Sequence, residues 1–194
     1  MVIPMNWGNV GCKFSYNGFA AYRHIQMGLA YGRKLSEVVS IGVQGNYYII
    51  SIPGYVQMST FNVEGGVLLQ ISPKLIVGWQ VNNPVKWMAA YTTKEQMPYA
   101  FRMGIGYDVS KDFFMSLQWQ KEESKPIQIC VALEYQYAKS FFAKLGVLGG
   151  SETIFAGLGI CFKGFRLEFL ISHHPQLGFS PGILLCNQLK STEP

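Results

Sequence analysis

The chain is built from stretches of about ten residues in which apolar and polar side chains alternate. Between Ile127 and Tyr137, every odd position is apolar or aromatic and every even position is small or polar. Because successive side chains in a β-strand point to opposite faces, this pattern predicts strands with one apolar and one polar face. The same division recurs over Ile25–Tyr31, Leu75–Asn82, Phe101–Tyr107, Phe113–Gln120 and Phe165–Ser172.

The second face of these strands distinguishes two kinds of sheet. A soluble sandwich also alternates, with its apolar face turned to a core. Here the second face carries mostly Gly, Ala, Ser and Gln, and charged residues make up only 14% of the chain. Aromatic residues lie where the apolar faces end, at Tyr31, Tyr107, Tyr137 and Phe162. Such rings match the interfacial girdles of membrane barrels, so the pattern favours a β-barrel with its apolar side chains facing lipid.

The connections between the predicted strands fall into two classes. Tight turns such as Lys163-Gly164 alternate with longer stretches such as Asn82–Pro98, His173–Pro181 and the region around Ile52–Tyr55. Bacterial barrels have short periplasmic turns and longer outer loops. The sequence therefore predicts an all-β, antiparallel up-and-down transmembrane β-barrel, as a single outer-membrane domain over residues 1–194. About twelve strands are expected, near 8–16, 22–32, 37–50, 60–71, 74–82, 98–108, 112–121, 126–137, 139–148, 152–162, 164–173 and 179–189.

Several other features are expected to be absent. No stretch has the roughly eighteen apolar residues of a transmembrane helix. Residues 1–6 lack the positive patch and apolar stretch of a signal peptide, so the chain has either lost one or is truncated at its N terminus. The four cysteines are far apart in sequence and form no CxxC pair, which argues against a metal site. The net charge of +5 is scattered, so no nucleic-acid partner is expected.

Five phrases together resemble a known family of outer-membrane barrels. The order and spacing of these phrases are similar to those of the Bacteroidetes barrels related to PorV and PorQ, within the FadL-like superfamily. The phrases are Arg23–Arg33, Val81–Pro84, Met97–Tyr107, Leu133–Tyr135 and His173–Pro181.

The resemblance implies a barrel of about fourteen strands in the bacterial outer membrane, preceded by an N-terminal part that this chain lacks. It implies a non-enzymatic scaffold or accessory partner of an envelope assembly such as type IX secretion. A passive FadL-like transporter of hydrophobic small molecules is the alternative. A soluble ligand-binding β-barrel is a second alternative, which would need the apolar residues inside.

Two groups of residues are candidates for function, and neither forms a catalytic constellation or a cofactor site. Charged residues expected to face the lumen either fill and close the barrel as ion pairs or line a conduit; they are Glu64, Arg102, Glu134, Lys144, Arg166 and Glu168. In the loop Asn82–Pro98, Trp87, Met88 and Tyr91 are expected either to contact a partner or to plug the lumen. The expected partners are outer-membrane lipid and, in the scaffold interpretation, envelope proteins.

Overall fold

A computed structural model of the chain describes residues 1–19, 22–52, 54, 56–84, 98–138 and 140–187. These residues form thirteen strands, and each strand is hydrogen-bonded to the next along the chain without crossovers. The strands are β1 (Val2–Met5), β2 (Gly8–Phe19), β3 (Tyr22–Lys34), β4 (Val39–Ile52), β5 (Val56–Ser72), β6 (Leu75–Asn82), β7 (Ala100–Asp108), β8 (Phe113–Glu122), β9 (Gln128–Tyr137), β10 (Phe141–Leu148), β11 (Thr153–Phe162), β12 (Phe165–His174) and β13 (Gly178–Asn187). The predicted all-β, antiparallel up-and-down fold is confirmed. Within the described ranges, no helix is long and apolar enough to cross a bilayer.

The chain divides into two compact units. Unit 1 comprises Met1–Gln70, Gly78–Arg102 and Lys121–Lys125; unit 2 comprises Ile71–Val77, Met103–Gln120 and the chain from Pro126 onward. The boundaries fall within strands β5 to β8 and in the connection between β8 and β9. The prediction of a single domain stays a prediction.

The alternation in sequence becomes an alternation in exposure. Along β11, Ile154, Leu158 and Ile160 are exposed, whereas Gly157 and Gly159 are buried. Leu158 keeps 68% of its surface accessible, and many other large apolar side chains behave in the same way. Most large apolar side chains of the strands therefore lie on the exposed face.

The buried face of the strands is polar. Among the described residues, the buried apolar side chains are Ala100 and Phe142, whereas the buried polar ones are Gln26, Asn46, Thr60, Asn62, Asn83 and Glu168. A soluble sheet would show the reverse, since burial of apolar surface is its main source of stability. The predicted orientation, with apolar side chains out and Gln and Glu positions in, is confirmed in each unit.

A tight hairpin joins β11 to β12. Phe162 pairs with Phe165, so the turn consists of Lys163 and Gly164 alone. Both residues have positive φ, 47° and 88°. Two-residue turns of this kind match the twist of the flanking strands, and glycine relieves one of the two strained positions.

The predicted long connections are wrong at two places, whereas predicted tight turns such as Lys163-Gly164 are confirmed. Ile52 at the end of β4 pairs with Val56 at the start of β5, and only three residues separate the end of β12 from Gly178. The expected loops at these two places are short turns, and β13 begins at Gly178 and runs through Pro181, whereas the sequence predicts a loop as far as Pro181. Between β6 and β7 the chain does span a long interval, most of which lies outside the described residues.

Strand β1 was not predicted. It has only four residues, including Pro4, and so gives too short an alternating pattern to detect. The strand pairs with the start of β2, with Val2 opposite Gly11 and Met5 opposite Gly8. The ring of Trp7, in the turn between these strands, stacks on Tyr31 with centroids 5.2 Å apart.

Candidate functional site

Four charged side chains meet on the buried face of unit 2 and are called the charged cluster: Glu134, Lys144, Arg166 and Glu168. The Lys144 ammonium lies 2.9 Å from each carboxylate oxygen of Glu168 and 3.6 Å from Glu134. Arg166 Nη2 donates to both oxygens of Glu134, at 3.1 and 3.2 Å. Arg166 Nε lies 3.7 Å from Glu168 Oε2. Each charge thus has a partner of opposite sign, and the cluster has a formal charge of zero.

The positions of these residues in the sheet explain how they meet. Glu134 on β9 is directly opposite Lys144 on β10. Glu168 and Arg166 lie on β12, which β11 separates from β10. On β11, Gly157 faces Lys144 and Gly159 faces Glu168. Because these glycines have no side chain, Lys144 can reach across β11 to Glu168.

Burial makes this pairing necessary. The Glu168 side chain is 2% exposed, and those of Lys144 and Arg166 are 28% and 35% exposed. A buried carboxylate is costly unless it is paired and hydrogen-bonded. The ion pairs with Lys144 and Arg166 offset this cost.

A phenylalanine ring supports the charged cluster. The guanidinium carbon of Arg166 lies 3.7 Å from the ring centroid of Phe142, and the Lys144 ammonium lies 5.5 Å from it. Phe142 is itself only 3% exposed. Both contacts are of the cation–π type, in which the ring face attracts positive charge.

Two ring-on-glycine contacts fix β10 against β11. Phe142 on β10 is opposite Gly159 on β11, and Phe155 on β11 is opposite Gly146 on β10. A Cβ atom added at either glycine would overlap the ring of its partner. Aromatic side chains that cover a cross-strand glycine pin the strand register. The same contacts hold Phe142 under Arg166.

The buried face of unit 1 carries a group of side-chain amides. Four of them form a directed chain across β3, β4, β5 and β6, here called the amide cluster: Gln26, Asn46, Asn62 and Asn82. Gln26 Nε2 donates to Asn46 Oδ1 at 3.0 Å, Asn46 Nδ2 donates to Asn62 Oδ1 at 3.1 Å, and Asn62 Nδ2 donates to Asn82 Oδ1 at 2.8 Å. Asn46 and Asn62, in the middle of the chain, therefore each accept one hydrogen bond and donate another.

Glu64 joins the amide cluster to the charged residues of unit 1. Its carboxylate accepts hydrogen bonds from Asn46 Nδ2 at 2.9 Å and from Gln80 Nε2 at 2.8 Å. Arg102 Nη1 lies 3.5 Å from Gln80 Oε1, at the limit of a hydrogen bond. In unit 1, the charges of Glu64 and Arg102 are thus connected through an intervening amide.

Asn46 is the centre of the amide cluster and has no accessible surface. Its Oδ1 also accepts a hydrogen bond from Gln44 Nε2 at 2.7 Å. Gly28 leaves space for the Asn46 side chain, because a Cβ at position 28 would lie 2.7 Å from Asn46 Oδ1. Gln26 also donates to the Tyr48 hydroxyl at 3.0 Å, and the Tyr48 ring stacks on His24. Within the described ranges, every buried side-chain nitrogen and oxygen has a hydrogen-bond partner.

The predicted site residues have three outcomes. The structure brings Glu134, Lys144, Arg166 and Glu168 together as ion pairs, and it places Glu64 and Arg102 in a separate amide-bridged group. That these residues line a lumen stays a prediction. The loop residues Trp87, Met88 and Tyr91 lie outside the described residues.

Sequence reasoning missed the amide cluster and Phe142. A signal was present, because Gln and Asn recur at polar-face positions of consecutive predicted strands. The predicted site contained charged residues only. Phe142 is apolar and follows the apolar Phe141, so the alternation does not show that it faces the polar side.

The histidines and cysteines form no site within the described ranges. Those residues contain no group of three or more His, Cys, Asp and Glu side chains that could hold a metal ion. The four cysteines are free. His173 packs against Phe179, and His174 Nδ1 accepts a hydrogen bond from the backbone N–H of Gln176.

Comparison with known proteins yields matches in structure only. No protein-family profile and no curated protein sequence matches the chain. Among solved structures, the CymD monoaromatic hydrocarbon channel is similar, with a TM-score of 0.63 and 11% identity over 88% of this chain and 75% of CymD. A mutant of the ferric enterobactin receptor of Pseudomonas aeruginosa aligns with a TM-score of 0.37 and 11% identity, over 94% of this chain and 42% of the receptor.

The likeness to CymD shows the fold alone, that of an antiparallel up-and-down β-barrel. This supports the general part of the sequence resemblance, to outer-membrane barrels. The narrower relation to the PorV and PorQ barrels of Bacteroidetes finds no support in these comparisons.

Proposed function

We propose that this protein is an outer-membrane β-barrel that lets small, apolar or uncharged molecules cross passively. The observation that carries the membrane part is the inverted burial, with Leu158 at 68% and Glu168 at 1% exposure. Exposed apolar side chains of this number are unfavourable in water and favourable against acyl chains. The outer membrane is the expected location.

Transport is supported by the fold and by the charge balance. The structural neighbour with the same kind of fold is described as a hydrocarbon channel. In unit 2, two acidic and two basic side chains cancel, so the charged cluster offers no net attraction to an ion. A neutral polar face suits molecules that do not depend on charge for passage.

The other two functions are less well supported. The scaffold or secretion role depends on the loop residues Trp87, Met88 and Tyr91, which lie outside the described residues, and on the unsupported PorV relation. A soluble ligand-binding barrel would carry apolar residues inside and charges outside. The burial in both units is the opposite.

Open space on the polar face provides a direct test of transport. Gly78 lies on the same face of β6 as Gln80, and a Cβ added there meets no heavy atom within 4 Å. A Cβ at Gly65 also meets no heavy atom within 4 Å, but Gly65 directly follows Glu64 in β5 and so lies on the other face of the strand, with the apolar residues. Gly78→Trp would therefore place a large ring among the polar residues, and Gly65→Trp would place it among the exposed apolar ones.

The experiment measures uptake of a labelled monoaromatic hydrocarbon by Gram-negative cells that express equal amounts of each folded variant. Gly78→Trp is expected to reduce uptake severalfold, while Gly65→Trp retains the wild-type rate. Equal uptake by wild type, by both variants and by cells without the protein would contradict a transport role.

The role of the charged residues can be measured separately in planar bilayers. If Arg102 borders a conduit, Arg102→Ala removes a positive charge from it and shifts the reversal potential toward cation selectivity. An unchanged reversal potential in a channel that still conducts would exclude Arg102 from the conducting path.

A further inference from the structure

The exposed face of unit 2 contains an apolar groove of about 290 Å³. Its walls include Tyr135 on β9, Phe141 on β10, Leu158 on β11 and Phe169 on β12. These side chains are 50–68% exposed, on the face opposite the charged cluster. The groove therefore faces outward, away from the polar residues.

The strand register explains why there is a depression at this place. Ala143 lies directly between Tyr135 and Leu158 in neighbouring strands, and Leu158 in turn faces Phe169. One small side chain thus interrupts a row of large ones that crosses four strands. The ring of Phe142 lies behind the groove, where Gly159 has no side chain to separate them.

A positive charge lies near one end of the groove. Phe162 is two residues beyond the groove residue Ile160 on the same exposed face of β11, and Lys163 follows in the hairpin turn. The Lys163 ammonium lies 5.2 Å from the centroid of the Phe162 ring. Lysine at the end of an aromatic, apolar surface is typical of the boundary between acyl chains and headgroups.

We propose that the groove binds one acyl chain of an anionic phospholipid whose phosphate pairs with Lys163. The apolar walls match a hydrocarbon chain, and the ammonium at the end matches a phosphate. A free hydrocarbon would gain nothing from Lys163, so the combination favours a membrane lipid over a transported molecule. The inference rests on the outer-membrane location proposed above, but not on transport.

The test uses native mass spectrometry of the full chain after exchange from detergent into nanodiscs of phosphatidylglycerol and phosphatidylcholine. Ala143→Leu fills the groove. Its control is Ala156→Leu, which adds the same side chain to β11, on the exposed face but outside the groove. Lys163→Gln removes the charge, and its control is Lys74→Gln in the turn between β5 and β6. Insertion of every variant is checked first by its heat-dependent shift on a gel.

Ala143→Leu and Lys163→Gln are each expected to lower the amount of retained phosphatidylglycerol about fivefold. Both controls should retain as much as wild type. Equal retention by all five proteins would show only unspecific surrounding lipid and overturn the proposal. Loss in Ala143→Leu without loss in Lys163→Gln would also overturn it, since the groove would then take an apolar chain without its phosphate.

Failure of the membrane proposal gives a different result. A wild-type protein that stays in solution without detergent and enters no nanodisc would refute the outer-membrane location and the lipid site together. Insertion of wild type with indifferent variants refutes the lipid site alone. If Ala143→Leu fails to insert, Lys163→Gln and its control still decide the question.

Discussion

The two units fill the same kind of buried polar face by different chemistry. Unit 2 uses four formal charges in direct contact, whereas unit 1 uses the amide cluster, which hydrogen-bonds to Glu64 through Asn46. In unit 1, Gln80 lies between Glu64 and Arg102. An amide can donate and accept hydrogen bonds at the same time, so an amide that loses one partner can still bond to others. A buried charge depends on one particular partner, and its loss leaves a costly unpaired ion.

Because a buried charge depends on its partner, we expect Lys144→Met to lower the free energy of unfolding the most. This change removes the only cation within 3 Å of the buried Glu168 among the contacts described, and leaves Arg166 Nε at 3.7 Å. The free energy of unfolding should fall by about 3–5 kcal/mol, measured by denaturant titration in detergent micelles. The double variant Lys144→Met with Glu168→Leu should recover part of that loss. A single variant as stable as wild type would mean that the pairing contributes nothing.

Gly159→Ala tests the packing next to the charged cluster, because it leaves all four charges in place. The new methyl group would overlap the ring of Phe142, which supports Arg166. Overpacking of this kind should cost about 2–3 kcal/mol in the same titration. Gly65→Ala is the control, because a Cβ there meets nothing within 4 Å. Equal stability of the two variants would show that the ring contact is not rigid.

Asn46→Leu tests the centre of the amide cluster. The leucine cannot accept from Gln26 and Gln44 or donate to Asn62 and Glu64, so several buried groups lose a partner. A loss of about 2 kcal/mol is expected, below that of Lys144→Met because no ion is left alone. Asn17→Leu, at an exposed position with one bond to Ser15, should change stability little. A larger loss in Asn46→Leu than in Lys144→Met would reverse the ranking of the two units.

The smallest effect is expected for an exposed ion pair. Lys125 contacts Glu122 at 2.5 Å, but the Lys125 side chain is 64% exposed. Lys125→Gln, which removes the exposed partner, should change the free energy of unfolding by less than about 1 kcal/mol. If it matched Lys144→Met, charge itself and not burial would explain the behaviour of the charged cluster.

The sequence predicted the fold and the orientation of the faces because both follow from a period of two. Ile127–Tyr137 shows the apolar and polar positions of β9 directly, and Glu134 could be placed on the buried face from that pattern. The connections were harder to predict. Pro175 and Gly178 looked like parts of a long loop, yet β13 begins at Gly178.

Which residues meet in the buried clusters depends on the register of the paired strands. The alternation of apolar and polar residues alone does not determine that register. That Lys144 lies opposite Gly157, and so reaches Glu168 two strands away, follows only from the pairing of β10, β11 and β12. The groove beside Ala143 was missed for the same reason. Its walls come from four strands, and no single stretch of sequence contains them.

The central claim is that the apolar face meets lipid and the polar face does not. It is tested most directly by spin labels placed singly along β11 of a cysteine-free protein in bilayers, with collisions measured for oxygen and for a water-soluble nickel complex. Positions 154, 158 and 160 should favour oxygen, and 155, 157 and 159 should not, in step with their exposure. A reversed phase, or no alternation along the strand, would contradict the claim.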